Sequence, residues 1–334
     1  ELPTDQLGAS AADDKTLVVE LDRPVTYFLN LMTFPSFCPI NEAYATEKGS
    51  QYALGADNLL CCGPFYMSAW DVGGNTYQLK KNPDYYDADK VKLDVINFQI
   101  ITDPQQTMLA YENGDLDYVR LSGEQISKYE TMEGFTRIEE GYLWYLSCNL
   151  NPKSSEYSCG LENENLRKAI AMSYDKDTIC YEILKDGSVP ANFAIPNRLA
   201  TGPDGKDFRE TAGTYLEMDK EAALACWEKA KTELGVDEVT IELLYDDSDS
   251  TPLIAQYLQS EIENTLPGVH LSLKAQPKKS RTELMQNREY QLGLTRWGPD
   301  YSDPMTYLDM WTTGSTYNYG EWSSEEYDRL IEEA

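Results

Sequence analysis

The sequence predicts an α/β fold in which helices cover the faces of a sheet. The main observation is that short strand patterns and helix patterns alternate between Asp219 and Trp297. The joints between them are short, which is typical of helices packed on the faces of a sheet. A second observation is the composition, 41% hydrophobic and 25% charged, which is ordinary for a globular protein. At 334 residues the chain is long enough for two or more compact lobes.

Short strand patterns separated by turn-forming residues fill the first part of the chain. A strand is predicted from Lys15 to Leu21, and an aromatic-rich piece follows it from Val25 to Phe37. Residues 63–70 and 76–80 are predicted to pair as a hairpin, because the turn-forming sequence Gly73-Gly-Asn75 lies between them. This hairpin begins a new structural unit.

A strand, a helix and a second strand are predicted after the hairpin. The long strand candidate covers Val91–Ile101, and the short one covers Leu116–Val119. Between them, Asp103 and Pro104 predict the first turn of a helix, because an acidic N-cap followed by proline suits a helix N-terminus. The order of the three elements indicates a crossover unit.

The second part of the chain begins with a loop, Asn149–Cys159, and continues with regular patterns. A helix is predicted over Glu164–Tyr174, because apolar residues recur at every fourth position on one face. Asp219 predicts the N-cap of the next helix, and Gly235 predicts its end. The remaining predicted elements are, in order, a strand over 239–245, a helix starting at 251, a strand over 270–275, a helix over 280–288, a strand over 290–297 and a helix-like run over 305–311.

The charge balance excludes some classes of function. The chain has 57 acidic and 28 basic residues, which gives a formal net charge of −29. Such a surface repels nucleic acid and anionic membranes, so we predict no nucleic-acid partner. No run of about 20 apolar residues occurs, so no membrane-spanning helix is predicted. Predicted elements lie close to both ends of the sequence, and we interpret it as a fragment.

The familiar templates of catalysis do not occur in the sequence. It contains no serine-hydrolase elbow, zinc-protease helix, phosphate-binding loop or dinucleotide-binding turn. Its one histidine, His270, lies in an alternating strand pattern, so catalysis by a nucleophile and histidine is not expected. The seven cysteines lack metal-finger spacing, and neither a metal nor a cofactor is predicted. We therefore predict that the protein is not an enzyme.

Pairs of acidic residues leave one enzymatic alternative open. Asp300 with Asp303, or the group Asp246, Asp247 and Asp249, would allow a glycoside hydrolase that uses two carboxylates. The same residues also suit solvated turns, and close acidic pairs arise by chance in a chain with this many carboxylates.

The cysteines leave a structural alternative open. Cys148 and Cys159 are close enough in sequence to form a disulfide across a loop. They also suit free and mostly buried thiols, which is the interpretation favoured for the other cysteines.

A binding site fits the sequence better than an active site. The stretch Thr295–Pro304 follows a predicted strand and carries Trp297, Asp300 and Tyr301 close together. In open α/β sheets, ligands lie at the carboxyl ends of the strands. A binding cleft needs only apolar walls and a few fixed polar groups, which these residue types supply.

A second aromatic cluster, Tyr142, Trp144 and Tyr145, directly precedes the second part of the chain. Its position suits the wall of a cleft at the join of two lobes. It suits equally well the packing of that join.

Six segments of the chain follow one another in the order found in a known protein family. The segments are Lys15–Pro24 with Tyr27–Leu29, Gly63–Tyr66 with Trp70, Leu79–Tyr86, Asn113–Asp117, Leu166–Lys176 and Trp297–Pro304. Together they extend over nearly the whole sequence, which resembles the family 5 extracellular solute-binding proteins, the peptide-binding proteins of ABC importers.

The resemblance implies a two-lobed α/β fold of the type II periplasmic-binding-protein-like class, with mixed sheets flanked by helices, incomplete at both ends. Residues 1–45 would be the tail of a small middle domain, residues 46–147 the central part of lobe one, and residues 148–334 a truncated lobe two. The implied protein is a monomeric, extracytoplasmic component of an ABC transporter, either a cell-surface lipoprotein or a periplasmic protein. Its implied partners are a peptide ligand and the membrane permease subunits of the importer.

The resemblance also implies how a peptide is held. The ligand lies extended in a cleft between the lobes and pairs with strand backbone, which here is that of Arg296, Trp297 and Gly298. Asp300 matches the aspartate that takes the ammonium group of the peptide. The predicted set of ligand-binding residues is completed by the rings of Tyr301, Tyr145, Trp144 and Tyr142.

Two features of the resemblance leave the ligand open. Some members of the family carry arginines that hold the carboxylate of short peptides, and Leu294 and Met285 occupy those positions here, with Arg296 and Arg288 as shifted alternatives. Peptide length is therefore not predicted. Other members bind nickel chelates or oligosaccharides, which remain alternatives to a peptide.

Overall fold

The structure, a computed structural model, describes residues 6–70, 72–121, 123–151, 155–248 and 250–334. The contacts between residues divide the chain into two units. One unit is Phe37–Glu130. The other consists of the described residues up to Ser36 together with those of Thr131–Ala334.

Strands and helices alternate along most of the chain. The strands are β1 (Ala9–Asp13), β2 (Thr16–Val19), β3 (Phe65–Trp70), β4 (Thr76–Lys81), β5 (Val95–Gln99), β6 (Leu143–Cys148), β7 (Val239–Asp246), β8 (Val269–Gln276) and β9 (Leu292–Trp297). The α-helices are α1 (Phe28–Leu31), α2 (Glu42–Lys48), α3 (Pro104–Glu112), α4 (Glu124–Tyr129), α5 (Glu164–Met172), α6 (Phe208–Thr211), α7 (Lys220–Leu234), α8 (Thr251–Thr265), α9 (Lys278–Gln286), α10 (Met305–Leu308) and α11 (Glu325–Glu333). A π-helix covers Thr178–Leu184. Of the helices in the described ranges, none has both the length and the apolar composition needed to cross a membrane.

The unit Phe37–Glu130 is built on an antiparallel sheet with the order β3-β4-β5. β3 and β4 form the hairpin that the sequence predicts. Asn82, which follows β4 and is buried, donates a hydrogen bond from its side-chain amide to the carbonyl of Gly63 at 2.9 Å. Tyr77 and Phe98 stack across β4 and β5 with their ring centroids 4.3 Å apart. The first contact joins the ends of β3 and β4 that lie opposite their hairpin turn, and the second joins β4 to β5 on one face of the sheet.

The crossover unit predicted after this hairpin is wrong. The helix α3 begins at its predicted N-cap, Asp103, but Leu116–Val119 is not a strand. Leu116 and Val119 are only partly buried and Tyr118 is 74% exposed, so the segment does not pack an apolar face against a sheet. β5 is also shorter than the predicted strand 91–101, because its neighbour β4 is itself short.

The larger unit contains a four-stranded sheet with the order β6-β9-β7-β8. β7 pairs in parallel with both β8 and β9, while β6 runs antiparallel to β9. This is the sheet with helices on its faces that the alternating patterns predict, and its mixed pairing is what the family resemblance implies.

Alternate residues of β7 contact helices on opposite faces of this sheet. Ile241, Leu243 and Tyr245 belong to the large core, which also takes in the buried sides of α5, α7 and α8. Leu244 packs on the other face against Met285 of α9. The helices that follow β7 and precede β9 therefore lie on opposite faces, which makes the β7–β9 boundary a topological switch point. Such a point opens a crevice at the carboxyl ends of the two strands.

Helix α7 begins and ends where its capping residues predict. Asp219 is the N-cap, and its side chain accepts a hydrogen bond from the amide of Ala222 at 2.9 Å. Gly235 ends the helix in the left-handed region, with a φ of 70°. On the inner face, the fully buried Trp227 donates its indole N–H to the carbonyl of Pro267 at 2.7 Å. The capping residues and the burial of Trp227 therefore both stabilise α7 over the predicted range.

The strand and helix on either side of the predicted binding stretch are shorter than predicted. β9 begins at Leu292 and not at Tyr290, because the carbonyl of Tyr290 accepts a hydrogen bond from the side-chain amide of Asn149 at 2.7 Å and not from a strand. Helix α10 has a single turn, and a 3₁₀ turn over Asp309–Trp311 continues it.

The N-terminal strand pairs with a segment that the sequence patterns do not reveal. β2 occupies the centre of the predicted strand Lys15–Leu21 and forms an antiparallel hairpin with β1. Every residue of both strands is exposed.

All seven cysteines are free thiols, so the alternative of a disulfide between Cys148 and Cys159 is not realised in the structure. Both side chains pack against the large core. Burial raises the pKa of the Cys148 thiol to about 11 and that of the Cys159 thiol to about 12. At neutral pH both are therefore protonated and unreactive as nucleophiles.

Replacing Asp219 with alanine is expected to lower the free energy of unfolding by about 1 kcal/mol, because the Ala222 amide loses its capping partner. Urea denaturation followed by circular dichroism measures this change. Asp177→Ala is the matched control, since Asp177 stands at the N-cap of the π-helix without a side-chain capping bond. Its effect should stay within about 0.5 kcal/mol. Equal losses in the two variants would contradict the capping role.

Candidate ligand-binding site

β7 and β9 part from each other before either strand ends. In the described residues their pairing extends only as far as Leu244 opposite Gly293. β9 nevertheless continues along β6 to Trp297, and β7 continues along β8 to Asp246. The β7-facing edge of β9 beyond Gly293 thus has no strand partner within the described ranges. Its backbone donors and acceptors are available to an added strand.

The loop that leaves β9 is tied to Thr306, a buried residue of α10. The indole N–H of Trp297 donates to the Thr306 carbonyl at 2.7 Å, and the amide of Asp300 donates to the Thr306 hydroxyl at 3.0 Å. Asp303 accepts a hydrogen bond from the Met305 amide at 2.9 Å and so holds the start of α10. These contacts fix Trp297 and Asp300 at the carboxyl end of β9.

A cavity of about 410 Å³ lies beside this loop. Aromatic rings and backbone form most of its wall, and two carboxylates are its charged groups. Four of the predicted ligand-binding residues, from the start of β6 and the end of β9, come together here. The lining residues are Phe34, Glu140, Tyr142, Trp297, Gly298, Pro299 and Asp300.

Two lining residues, Phe34 and Glu140, are missed by the sequence analysis. Phe34 belongs to the aromatic-rich piece Val25–Phe37, whose composition is the only feature of the sequence that points to it. Glu140 is one of many acidic residues, and nothing in the pattern around it sets it apart. Only the folded chain places them beside Trp297.

Asp300 presents an exposed side chain to the cavity. No basic side chain in the described part of the chain forms an ion pair with it, and partial burial raises its pKa. The pKa of Asp309 is raised as well, first by burial and further by the charge of Asp300. A carboxylate that has lost hydration without gaining a cation interacts favourably with a positively charged ligand group.

Tyr142 lies between the backbone of Gly298 and the guanidinium of Arg296. A Cβ atom added to Gly298 would come within 2.5 Å of Tyr142 Cε1, so only glycine allows the ring to lie this close to the backbone. The Arg296 guanidinium lies 4.5 Å from the centroid of the Tyr142 ring and 5.2 Å from that of Trp144. Two rings therefore hold the side chain of Arg296, and its backbone belongs to the open edge of β9.

Three predicted aromatic residues lie outside the lining of the cavity. Trp144 packs against the large core. Tyr145 contacts Trp311 edge to face, with the ring centroids 5.4 Å apart. Tyr301 stacks on Tyr27 at 4.8 Å. The structure thus separates these rings from the four predicted residues that meet at the cavity.

The acidic groups that left an enzymatic alternative open have other roles or positions in the structure. Asp246 is buried against Arg281, Asp247 is exposed, and Asp303 accepts a hydrogen bond from the Met305 amide at the start of α10. Asp249 lies outside the described residues. Within the described ranges, no group of three histidine, cysteine or acidic side chains is placed to hold a metal ion.

Sequence comparison connects the chain to a family of transport proteins. The sequence profile of the bacterial extracellular solute-binding proteins, family 5 Middle, matches residues 2–319. The dipeptide-binding protein of Lactococcus lactis subsp. cremoris is 30% identical over 338 residues, covering 99% of this chain and 61% of the relative. The dipeptide-binding protein DppE of Bacillus subtilis is 29% identical over 332 residues, covering 99% and 59%.

Solved structures share the fold. Listeria monocytogenes OppA bound to peptide matches with a TM-score of 0.88 at 34% identity, over 98% of this chain and 64% of that one. The substrate-binding domain of an oligopeptide ABC transporter from Bacillus anthracis matches with a TM-score of 0.84 at 39% identity, over 99% and 64%. The predicted α/β fold of the type II periplasmic-binding-protein-like class is confirmed.

The chain spans about three fifths of the length of the curated relatives that it matches. The family profile itself extends over nearly all of this sequence, from the first strands to the loop before α11. The chain belongs to the bacterial extracellular solute-binding proteins of family 5.

Proposed function

We propose that the protein captures peptides for import by an ABC transporter. Relatives that it matches over nearly its whole length are named for binding dipeptides and oligopeptides, and one solved structure is described as bound to peptide. The observation that carries the proposal is the unpaired edge of β9, which leads directly to the carboxylate of Asp300. The open strand edge fits the backbone of a peptide, and the carboxylate fits its amino end.

An extended peptide beside Arg296, Trp297 and Gly298 would form backbone hydrogen bonds of the kind that join neighbouring strands. These bonds are the same for every peptide sequence, so the edge provides affinity without selecting side chains. Asp300 accepts the ammonium group and thereby sets the register of the ligand. The cavity next to Tyr142 leaves room for a ligand side chain.

The other predicted aromatic residues contribute to this site through the residues that they position. Trp144 holds the guanidinium of Arg296, and Tyr145 stands opposite Thr295 in the β6–β9 ladder. Tyr301 lies in the loop that carries Asp300 and is fixed by its stack on Tyr27.

We infer that the whole protein acts outside the cytoplasm, as a cell-surface lipoprotein or a periplasmic protein, and delivers its ligand as a monomer to permease subunits. The extracellular description of the family supports this location. The resemblance supports the assignment of residues 1–45 to a middle domain, 46–147 to lobe one and 148–334 to lobe two. The proposed function includes no catalytic step.

Isothermal titration calorimetry with trialanine tests the function. The full-length protein is expected to bind this peptide, and mass spectrometry should recover it intact. Asp300→Asn should weaken binding about tenfold, or by about 1.4 kcal/mol, because the ammonium group loses its ion pair. N-acetylated trialanine, which has no ammonium group, should bind weakly and equally to both forms.

The controls for this experiment follow from the structure. Asp14→Asn removes an exposed carboxylate on the β1–β2 hairpin and should leave the affinity unchanged. Asp300→Asn should not lower the free energy of unfolding, because burial without a partner disfavours the charged form of Asp300 in the ligand-free protein. If Asp300→Asn lowered the affinity for the free and the acetylated peptide equally, Asp300 would not be the group that binds the ammonium.

Peptide affinity is expected to fall as the pH decreases through the pKa of Asp300. Because that pKa is raised, the loss should begin at a higher pH than an ordinary aspartate would give. The protonated carboxyl group no longer attracts an ammonium group, so the peptide loses its anchor. Titrations from neutral pH downward measure the profile, and Asp300→Asn should flatten it. The same profile in both proteins would contradict this assignment.

Gly298→Ala is expected to weaken peptide binding about tenfold, or by about 1.4 kcal/mol. The new methyl group displaces the Tyr142 ring from the wall of the site. The free energy of unfolding should change by less than about 1 kcal/mol, because the half-exposed ring can swing into solvent. Gly63→Ala is the control, since a Cβ atom there meets no neighbouring atom within 4 Å. Unchanged affinity in Gly298→Ala would show that the ring is not part of the site.

A further inference from the structure

A buried arginine lies where β7 and β9 part. If the pairing of Leu244 with Gly293 continued in the same register, Asp246 would stand opposite Thr295. Instead, the side chains of these two residues are joined by Arg281 of α9. Its guanidinium donates a hydrogen bond to Thr295 Oγ1 at 2.6 Å and another to Asp246 Oδ2 at 3.5 Å.

This bridge is buried, but not all of its hydrogen-bonding groups have a partner. Arg281 is 4% exposed, and Asp246 and Thr295 are 3% exposed each. The second carboxylate oxygen of Asp246 accepts hydrogen bonds from Ser248 and Thr251 at the start of the connection to α8. Nε of Arg281 has no hydrogen-bond partner in the described part of the chain. A buried ion pair at 3.5 Å that leaves one donor unpaired contributes little to stability, which points to a role in positioning.

β7 and β9 separate, but not because their ends are frayed. β9 remains paired with β6 as far as Trp297 opposite Leu143, and β7 remains paired with β8 as far as Asp246 opposite Gln276. Both strands are extended, and each has an unpaired edge on the side that faces the other. Edges of this kind pair with any strand within reach, so a specific contact has to keep them apart.

Helix α9 lies over the point of parting. Met285, one turn after Arg281, packs on Gly293, where an added Cβ atom would lie 2.9 Å from Met285 Cε. The helix therefore places an apolar side chain on the last paired residue of β9. It places a charged side chain on Thr295, among the residues that do not pair.

We propose that Arg281 is a positioning residue that holds the ligand edge of β9 open. Its guanidinium fixes Asp246 and Thr295 on either side of the gap and prevents β7 from pairing with Leu294 and Thr295. In the same register, that pairing would bring Asp247 beside Arg296, at the start of the proposed ligand edge. An edge kept open in advance spares the ligand the cost of separating two strands. The role in ligand binding rests on the proposed function, whereas the separation of the strands does not depend on it.

The double variant Arg281→Met with Asp246→Leu tests the role, because it removes both charges and leaves neither one unpaired. It is expected to be at least as stable as the parent protein in urea denaturation. β7 should then pair further along β9, so the amides of residues 294–296 that face β7 should exchange hydrogen about tenfold more slowly, while those that face β6 should not change. The dissociation constant for trialanine should rise about tenfold.

Two single variants keep the test decisive if the double variant does not fold. Thr295→Val has nearly the same shape but loses the hydroxyl that Arg281 holds, so exchange should slow and affinity should fall by smaller factors. Lys279→Met changes an exposed cation on α9, whose side chain is 90% exposed, and should alter neither quantity.

Unchanged exchange of the β7-facing amides of residues 294–296 in Thr295→Val and in the folded double variant would overturn the role of Arg281. A parent protein that binds no peptide of two to six alanines would instead overturn the proposed function. In that case the exchange measurement still decides the role of Arg281 in separating the strands.

Discussion

The parting of β7 from β9 after Gly293 is the constraint on which the candidate site depends. Backbone N–H and C=O groups in the middle of a sheet normally pair with a neighbouring strand, and an open edge there is an unusual feature. The opposite placement of α8 and α9 favours an opening at this point, because their connections leave the sheet on different faces. The loop beyond β9, held by Thr306, then brings Trp297 and Asp300 to the end of the same edge.

The charges around the opening favour a cation. Asp300 and Asp309 both have raised pKa values, and each lacks an ion-pair partner in the described residues. The guanidinium of Arg296, which is near in sequence, is held instead by the rings of Tyr142 and Trp144. A free carboxylate beside unpaired backbone fits a ligand that has both an ammonium group and amide groups. This combination explains why a peptide agrees with the geometry better than a nucleic acid or a metal ion.

Stability and binding are assigned to different parts of the larger unit. The large core joins one face of the sheet to α5, α7 and α8 through aliphatic residues and Trp227. The opposite face carries a smaller core and the buried bridge of Arg281, Asp246 and Thr295, which costs desolvation. Because the first face supplies most of the apolar contacts, the second face can hold charged groups and an unpaired strand edge without unfolding the unit.

The sequence by itself determined the elements that obey local rules. The caps of α7 at Asp219 and Gly235, the β3–β4 hairpin and the alternation of β7, α8, β8 and α9 depend on neighbouring residues. The family, too, could be inferred from the order of short segments. Only the tertiary structure decided that Leu116–Val119 is not a strand, that Phe34 and Glu140 meet Trp297, and that β9 loses its partner after Gly293. The physical reason is that burial and strand pairing depend on contacts between residues far apart in the chain, which no local pattern records.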